Sequence, residues 1–445
     1  MDFQLLSIFI KNSIILRSLF LYSVAFLLAI NCNSQNKNVI NWLTQHSLEI
    51  SSTEVDSIID RPINTFPSSF ISAKIYGLGG SSHQHTEFNK LKSSITKYLI
   101  TNNNLNFLYF EESYGAAHDL NEYLQSGKGD LRKLVKEFRQ KTWQNSEVLD
   151  FFQWLKNYND TKADADKVSV YGIDPMFNYN IVQLLRDIHG NKNFELTNEE
   201  EKILTKYSKE VFQPYKIKNI NQEIKLLTEL QKRIQVSDQF NSQTEDAVLA
   251  LEALKSYIFF INEPKQSVRD RNMMSLIVSN MEQEKNFKKG MVWSHNLHIK
   301  KTSLPDLNAN KATLFPKNTP SLGKRLKKKF KKDYYSIGFD FGFGKLAKID
   351  KNGNRETGTL SQPFPNTFSE VLFEVPFDFF FFDFQEASKN KSMKNFIKSE
   401  KKYLNIGGGG LLPKYAKKAL AKDPLFDLYD GLIYVREVSL NSKIP

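Results

Sequence analysis

Three histidines and a pair of glutamates stand where short apolar runs give way to polar residues. His83 follows Ile75-Tyr-Gly-Leu78 and two glycines, Glu111 and Glu112 follow Phe107-Leu-Tyr-Phe110, and His295 and His298 follow Met291-Val-Trp293. Each apolar run has the length and composition of a buried strand. Open α/β sheets carry their working side chains just beyond the carboxyl ends of their strands. Imidazoles that titrate near neutrality, gathered with carboxylates, are what proton transfer needs. His295-Asn-Leu-His298 lets both rings face one way if the segment leaves its strand as a turn or helix, and its spacing matches none of the common zinc-protease patterns. His85 and Glu87 are weaker candidates, because Glu87 falls in the first turn of a helix, where acids are favoured anyway. Strand alternation turns Glu112 away from Glu111, so Glu112 is expected to face solvent. There is no Gly-x-Ser-x-Gly elbow, so a serine nucleophile has no support.

The elements that must hold these residues alternate. Strands are expected near 71–78, 105–110, 168–173, 291–294, 335–343, 377–384 and 431–438, with helices at 36–50, 88–102, 117–125, 130–140, 146–158 and 321–332. From about 178 to 288 strand signals vanish and helical periodicity takes over, as in Ile224, Leu227, Leu230 and Ile234. That stretch reads as a mainly helical cap inserted between strands. The alternation is that of an α/β protein with a mainly parallel sheet.

Residues 1–34 read as an export signal: Lys11 and Arg17 precede an apolar run, Ser18 to Ile30, that is too short for a comfortable membrane span. The only cysteine, Cys32, follows at once. It is either a lipid-attachment site that anchors the protein to a membrane or part of a discarded signal. In both cases the protein is expected outside the cytoplasm, periplasmic or anchored on the cell envelope, with no disulfide. The net charge of +12 is spread thinly and accompanies no nucleic-acid motif, so nucleic acid is not an expected partner. Lys324-Arg-Leu-Lys-Lys-Lys-Phe-Lys-Lys332 reads first as an amphipathic helix with a solvated basic face, because Leu322, Leu326 and Phe330 recur every four residues. Gly407–Gly410 lacks the Lys-Ser/Thr of a phosphate loop and reads as a flexible connection.

Taken in order, these motifs resemble the erythromycin esterase family of hydrolases over about residues 40–440. Gly77-Leu-Gly-Gly-Ser-Ser-His83-Gln-His-Thr-Glu-Phe88 is similar to the family's opening Gly-Leu-Gly-Glu-Ala-Thr-His-Gly-Thr-x-Glu-Phe. Leu91-Lys92, Glu111, Lys141-Thr-Trp143, Tyr171-Gly-Ile-Asp174, Val268-Arg-Asp270-Arg-Asn-Met273, Val292-Trp-Ser-His-Asn-x-His298 and Ser336-Ile-Gly-Phe-x-Phe-Gly-x-Gly344 follow as further landmarks. The resemblance implies a three-layer α/β/α domain over 35–445, with its site in a cleft beneath the helical cap. It implies hydrolysis of an ester or lactone-like bond in a small-molecule substrate, by water, with no cofactor and no covalent intermediate. His83 is then the expected general base and Glu111 the residue that orients an imidazole or water. His295 and His298 polarise the carbonyl or protonate the leaving group, Lys92 stabilises the oxyanion, and Asp174, Trp143 and Glu87 touch substrate. One departure stands out. The glutamate that the family places three residues before its first histidine is Gly80 here. Gly80 marks either a lost carboxylate, and with it an impaired protein that only binds, or a turn with positive φ. A metal-dependent hydrolase, with His83, Glu111 and one of His295 and His298 as ligands, is the third reading.

Overall fold

Large apolar side chains alternate along the central strands and point to opposite sides. Ile75, Tyr109 and Val292 enter one core, and Tyr76, Leu78, Leu108, Phe110, Met291 and Trp293 enter the other. Strands buried on both faces belong to a parallel sheet covered by helices. The computed structural model describes residues 35–444 apart from 52–54, 63–64, 192–193, 211–214, 238–240, 284–285, 305–318 and 350–353, so the expected signal segment and Cys32 lie outside the described residues. No helix among the described residues is long and apolar enough to cross a membrane.

The strands are β1 Leu48–Ile50, β2 Ile75–Leu78, β3 Phe107–Phe110, β4 Ser169–Gly172, β5 Gly290–Trp293, β6 Tyr334–Ile349, β7 Arg355–Leu360, β8 Phe379–Asp383, β9 Lys402–Leu404, β10 Leu420–Lys422 and β11 Gly431–Val438. Nine of them form one sheet in the order β1-β8-β11-β6-β2-β5-β3-β4, with β7 hanging on β6. The run from β11 to β4 is parallel, and β1, β7 and β8 pair antiparallel. β9 and β10 make a separate antiparallel ribbon. The expected three-layer α/β/α fold, with a mainly parallel sheet and a helical insertion, is the fold observed.

Helices Thr86–Asn103 and Ser146–Asp160 cover one face through Phe88, Leu91, Ile95 and Leu99 and through Val148, Phe151, Phe152 and Leu155. The insertion between β4 and β5 contributes helices Ile181–Gly190, Asn198–Lys206, Ile220–Gln235, Ser242–Asn262 and Gln266–Gln283. Their buried side chains share a single core with Ile75, Tyr109, Val292 and Tyr434 of the sheet. Local chemistry starts these helices where the sequence places cap residues. Thr197 with Glu200 and Asn241 with Thr244 form reciprocal capping boxes, and Ser113 and Asn145 accept from Ala116 N and Val148 N.

Three expected helices come out shorter, the last of them Leu322–Phe330 against an expected 321–332. The first ends at residue 46, and the chain then runs on as β1 against β8. The second, Leu131–Lys136, stops before residue 140 because the Glu112 carboxylate captures the N–H groups of Arg139 and Gln140 at 3.0 and 2.8 Å.

Helix Leu322–Phe330 approaches the short helix Asn296–Ile299 so closely that a Cβ on Gly323 would overlap the carbonyl of Ile299. Alanine is the better helix former by about 1 kcal/mol, whereas forcing atoms into a filled contact costs ~1–3 kcal/mol. Gly323→Ala is therefore expected to lower stability in urea unfolding. An unchanged or raised midpoint would refute the close approach.

Candidate active site

β2, β5, β3 and β4 are parallel neighbours in that order, so the residues that follow them emerge along one edge. This brings together His83, Ser294 to His298, Glu111 and Asp174, which are distant in sequence. Asn296 pins the edge. Its side chain donates to Phe339 O at 2.8 Å and accepts from Phe339 N at 3.1 Å, and it lies where a Cβ on Gly79 would fall.

Arg269, from the last helix of the insertion, reaches down into this edge. Its Nε and Nη2 donate to both oxygens of Asp174 at 2.9 and 2.6 Å, and Nη2 also reaches Glu111 Oε1 at 2.8 Å. The other Glu111 oxygen accepts from Ser294 Oγ at 2.5 Å and His295 N at 2.9 Å. Burial alone would raise the Glu111 pKa, but the charges of His298 and Arg269 outweigh it and hold the carboxyl well below the usual range. Glu111 is thus a fixed anion, too weak a base to take a proton near neutrality.

His298 lies between two acids, with Nδ1 2.8 Å from Asp270 Oδ1 and Nε2 3.4 Å from Glu111 Oε1. Arg269 Nη1, 3.1 Å from the same Nε2, favours a neutral ring instead. Burial also opposes the charge, yet the Asp270 and Glu111 carboxylates prevail and lift His298 to about 9. The guanidinium gives way because its own charge is already held by Asp174 and Glu111. His298 is therefore an imidazolium at neutral pH.

His83 is the opposite case. Its Nδ1 has no hydrogen-bond partner among the described residues, and Nε2 stands 4.0 Å from Glu111 Oε1. The ring meets Trp143 edge-on at 4.7 Å and lies 4.8 Å from that of His295. Burial, only partly opposed by Glu111, pushes its pKa well below that of free imidazole. The ring is neutral, with a lone pair available. His295 is neutral too, lowered by burial to about 4, but its nitrogens are spent. Nε2 donates to Ile406 O at 2.9 Å, and Nδ1 accepts from Leu297 N at 3.1 Å.

A cleft of about 950 Å³ opens over these groups. His83, Glu111, Arg269, His295 and His298 form its floor, with Gln140, Gln266, Met176 and Leu297 beside them. The far wall is Gly407–Gly409 together with β10, so the glycines read as a flexible connection line the site. Ile406 N donates to Ser81 O at 2.7 Å and ties that wall to the His83 loop.

Other expected site residues stand behind the cleft. Lys92 Nζ donates to Ser294 O at 3.0 Å and sits near the rings of Trp143 and Trp293, and burial lowers its pKa to about 7. Trp143 is buried, with Nε1 donating to Glu111 O at 2.8 Å. Asp174 is buried beneath Arg269 and also accepts from Gln140 Nε2 at 2.6 Å. Glu87 accepts from Ser439 N and Oγ on the outer side of its helix. Glu112 does not face solvent: the chain turns after β3, and its carboxylate is buried on the N–H groups of Ser113, Arg139 and Gln140. Gly80 does not have positive φ, since the glycines that do, among the described residues, are Gly127, Gly129, Gly344 and Gly410. A Cβ there would lie 3.5 Å from Lys92 Nζ and 3.1 Å from Ser82 O. A glutamate at this position would therefore start out beside the lysine.

Arg269 and Asp270, the centre of the charge network, were visible only as a family landmark. An Arg-Asp pair inside a polar helical turn carries no chemical signal of its own. The donor set suits a metal poorly, because Glu111 is occupied by a guanidinium, a hydroxyl and an N–H, and both His295 nitrogens are engaged. Among the described residues no group of three His, Cys, Asp or Glu side chains is arranged to hold an ion.

Imidazoles and a fixed carboxylate at the strand ends of an α/β/α sheet are groups suited to proton transfer. The erythromycin esterase model matches residues 100–438, and the chain belongs to that family. It is 21% identical over 439 residues to the Bacillus subtilis protein named "Putative hydrolase YbfO", covering 91% of this chain and 92% of that one. The same fold recurs in three solved structures. A Bacillus cereus protein has TM-score 0.75 at 20% identity, with 92% of this chain and 99% of that one covered. A succinoglycan biosynthesis protein has TM-score 0.69 at 20%, covering 92% and 98%. A mutant of the erythromycin esterase EreC in its open conformation has TM-score 0.58 at 16%, covering 88% and 98%.

Removing one member of a buried ion network leaves its partners charged and unpaired, at about 3–5 kcal/mol. Arg269→Met, which keeps most of the side-chain volume but strips Asp174 and Glu111 of their cation, is expected to lose stability on that scale in chemical denaturation. A loss under about 1 kcal/mol, the scale of an exposed pair, would show that the network does not hold the site together.

Proposed function

We propose that the chain hydrolyses an ester or lactone-like bond by water that His83 activates, without an acyl-enzyme. The observation that carries this reading is the division of labour between two buried imidazoles. His83 is neutral with Nδ1 unengaged, whereas His298 is held protonated by Asp270 and Glu111. Groups whose environments push their pKa values apart are the usual signature of paired base and acid.

In this reading a substrate carbonyl lies over the floor of the cleft. His83 accepts a proton from water as the oxygen attacks, and Glu111, 4.0 Å away, stabilises the imidazolium as it forms. The tetrahedral oxyanion is stabilised by the positive charges of His298 and Arg269, which line the cleft and are already oriented by Asp270 and Asp174. The departing alkoxide takes a proton from His298 or from the His83 imidazolium, leaving an acid and an alcohol. His295 positions rather than reacts, since it holds Ile406 and so the glycine wall. Lys92 supports the Ser294 carbonyl from behind and is not assigned the oxyanion.

Loss of a general base typically costs 10²–10⁴-fold in rate. His83→Ala is expected to lose at least ~10²-fold in kcat on an ester and lactone panel, with little change in stability. A variant within a few-fold of the parent would exclude His83 as the base. Tight binding of a panel member with no turnover by the parent protein would instead favour a chain that only binds.

The same charge states set the pH profile. His83 must be neutral, and its lowered pKa keeps it so at pH values where free imidazole is protonated, which moves the acid limb of kcat/KM below about 6.5. His298 must be charged, so activity should fall as pH rises through about 9. An acid limb at or above 6.5 in the parent would contradict the assignment.

A further inference from the structure

The basic helix Leu322–Phe330 does not simply present its charges to solvent. Leu322 and Leu326 are buried, and the turn between them lies along helix Gln266–Gln283, so that Arg325, Lys328 and Lys329 meet Arg271 and Lys232 across a groove of about 770 Å³. Five cations therefore line one concavity. Two carboxylates line it as well, and both are engaged. Glu252 accepts from Ser275 Oγ at 2.5 Å and pairs with Lys255 at 2.8 Å, and Glu282 stands 4.0 Å from Lys329. Arg271 lies over the Phe259 ring, its guanidinium carbon 5.3 Å from the ring centre.

Arg325 is the informative residue. Its Nε is buried and has no hydrogen-bond partner among the described residues. A buried guanidinium N–H left unpaired costs free energy, and two guanidinium groups lining one groove repel. The repulsion between the two guanidinium groups is relieved by one ligand type, an anion with several acceptor oxygens. A single carboxylate offers two such oxygens, whereas a phosphoryl group offers three with up to two charges, which better matches five cations.

We infer that the groove between helices Gln266–Gln283 and Leu322–Phe330 is a binding site for a phosphoryl group, held by Arg325 and Arg271 and flanked by Lys232, Lys328 and Lys329. The ligand is a phosphorylated small molecule or a lipid headgroup; both offer the same oxygens. The site is separate from the hydrolytic cleft but adjoins its charge network. Asp270, whose Oδ1 holds His298, accepts from Leu322 N through Oδ2 at 2.8 Å, at the start of the basic helix.

The test uses the whole protein and two probes. Pyrophosphate is titrated calorimetrically, and flotation is measured with phosphatidylcholine vesicles made with and without phosphatidylglycerol. The variant Arg325→Gln/Lys328→Gln is compared with Lys128→Gln/Lys133→Gln, which removes the same charge from an exposed stretch elsewhere. Thermal unfolding confirms that both variants fold, and Lys328→Gln alone, on an exposed position, replaces the double variant if it does not. The expected result is saturable binding of one probe, weakened at least ~10-fold in the groove variant and unchanged in the control, as loss of charge-assisted contacts implies. Loss confined to pyrophosphate identifies a soluble ligand, and loss confined to anionic vesicles identifies a headgroup. Absence of binding to both probes, or equal loss in the control, overturns the site.

Discussion

A buried site that holds several charges must balance them within a few ångströms, and here the balance turns on one guanidinium. Arg269 spans Asp174 and Glu111, the two carboxylates at the ends of adjacent strands. With Glu111 fixed as an anion, His298 keeps its proton between Glu111 and Asp270. Burial is what chiefly keeps His83 and His295 neutral against the pull of Glu111, with smaller help from the charges of His298 and Lys92. The states of Glu111 and His298 are thus set by one ion network, and those of His83 and His295 by burial beside it. That network also joins the layers: Arg269 comes from the helical insertion, Glu111 and Asp174 from the sheet, and Asp270 reaches the first turn of the next helix.

The sheet was legible because its strands are continuous apolar runs bounded by glycine or polar turns. β2, β3, β4, β5, β6, β8 and β11 all fall within or beside the stretches read from pattern alone. β1, β9 and β10 were not legible, since three residues are too few to show alternation, and β7 is exposed and polar along most of its length. In the site, His83, Glu111, His295 and His298 could be read because each follows an apolar run. What could not be read was their division of labour. That His295 is spent on Ile406 while His298 is charged depends on partners more than a hundred residues away for one and on Asp270 for the other. Alternation likewise misplaced Glu112, because a strand rule does not extend past the residue at which the strand ends.

Gly80 sharpens the comparison with the family. Its φ does not require glycine, although an added Cβ would press on Ser82 O at 3.1 Å. The side chain beside this position is Lys92, whose amine is lowered to about 7 by burial. The lysine keeps its place through Ser294 O and two indole rings, so the region remains packed after the substitution.

The wall opposite the histidines has a further consequence. At Gly407 and Gly409 a Cβ would meet nothing within 4 Å, and at Gly408 it would only touch His83 Cδ2 at 3.6 Å. Most positions that face a catalytic floor are boxed in, so changing them disturbs the fold before it changes the ligand. This strip is different, because backbone alone shapes one side of the cleft and neighbouring atoms leave room for added side chains. A side chain added at Gly407 or Gly409 can therefore narrow or recharge the opening without displacing neighbouring atoms. The strip is a part of the cleft wall where a change of residue alters the opening at little cost to the packing around it.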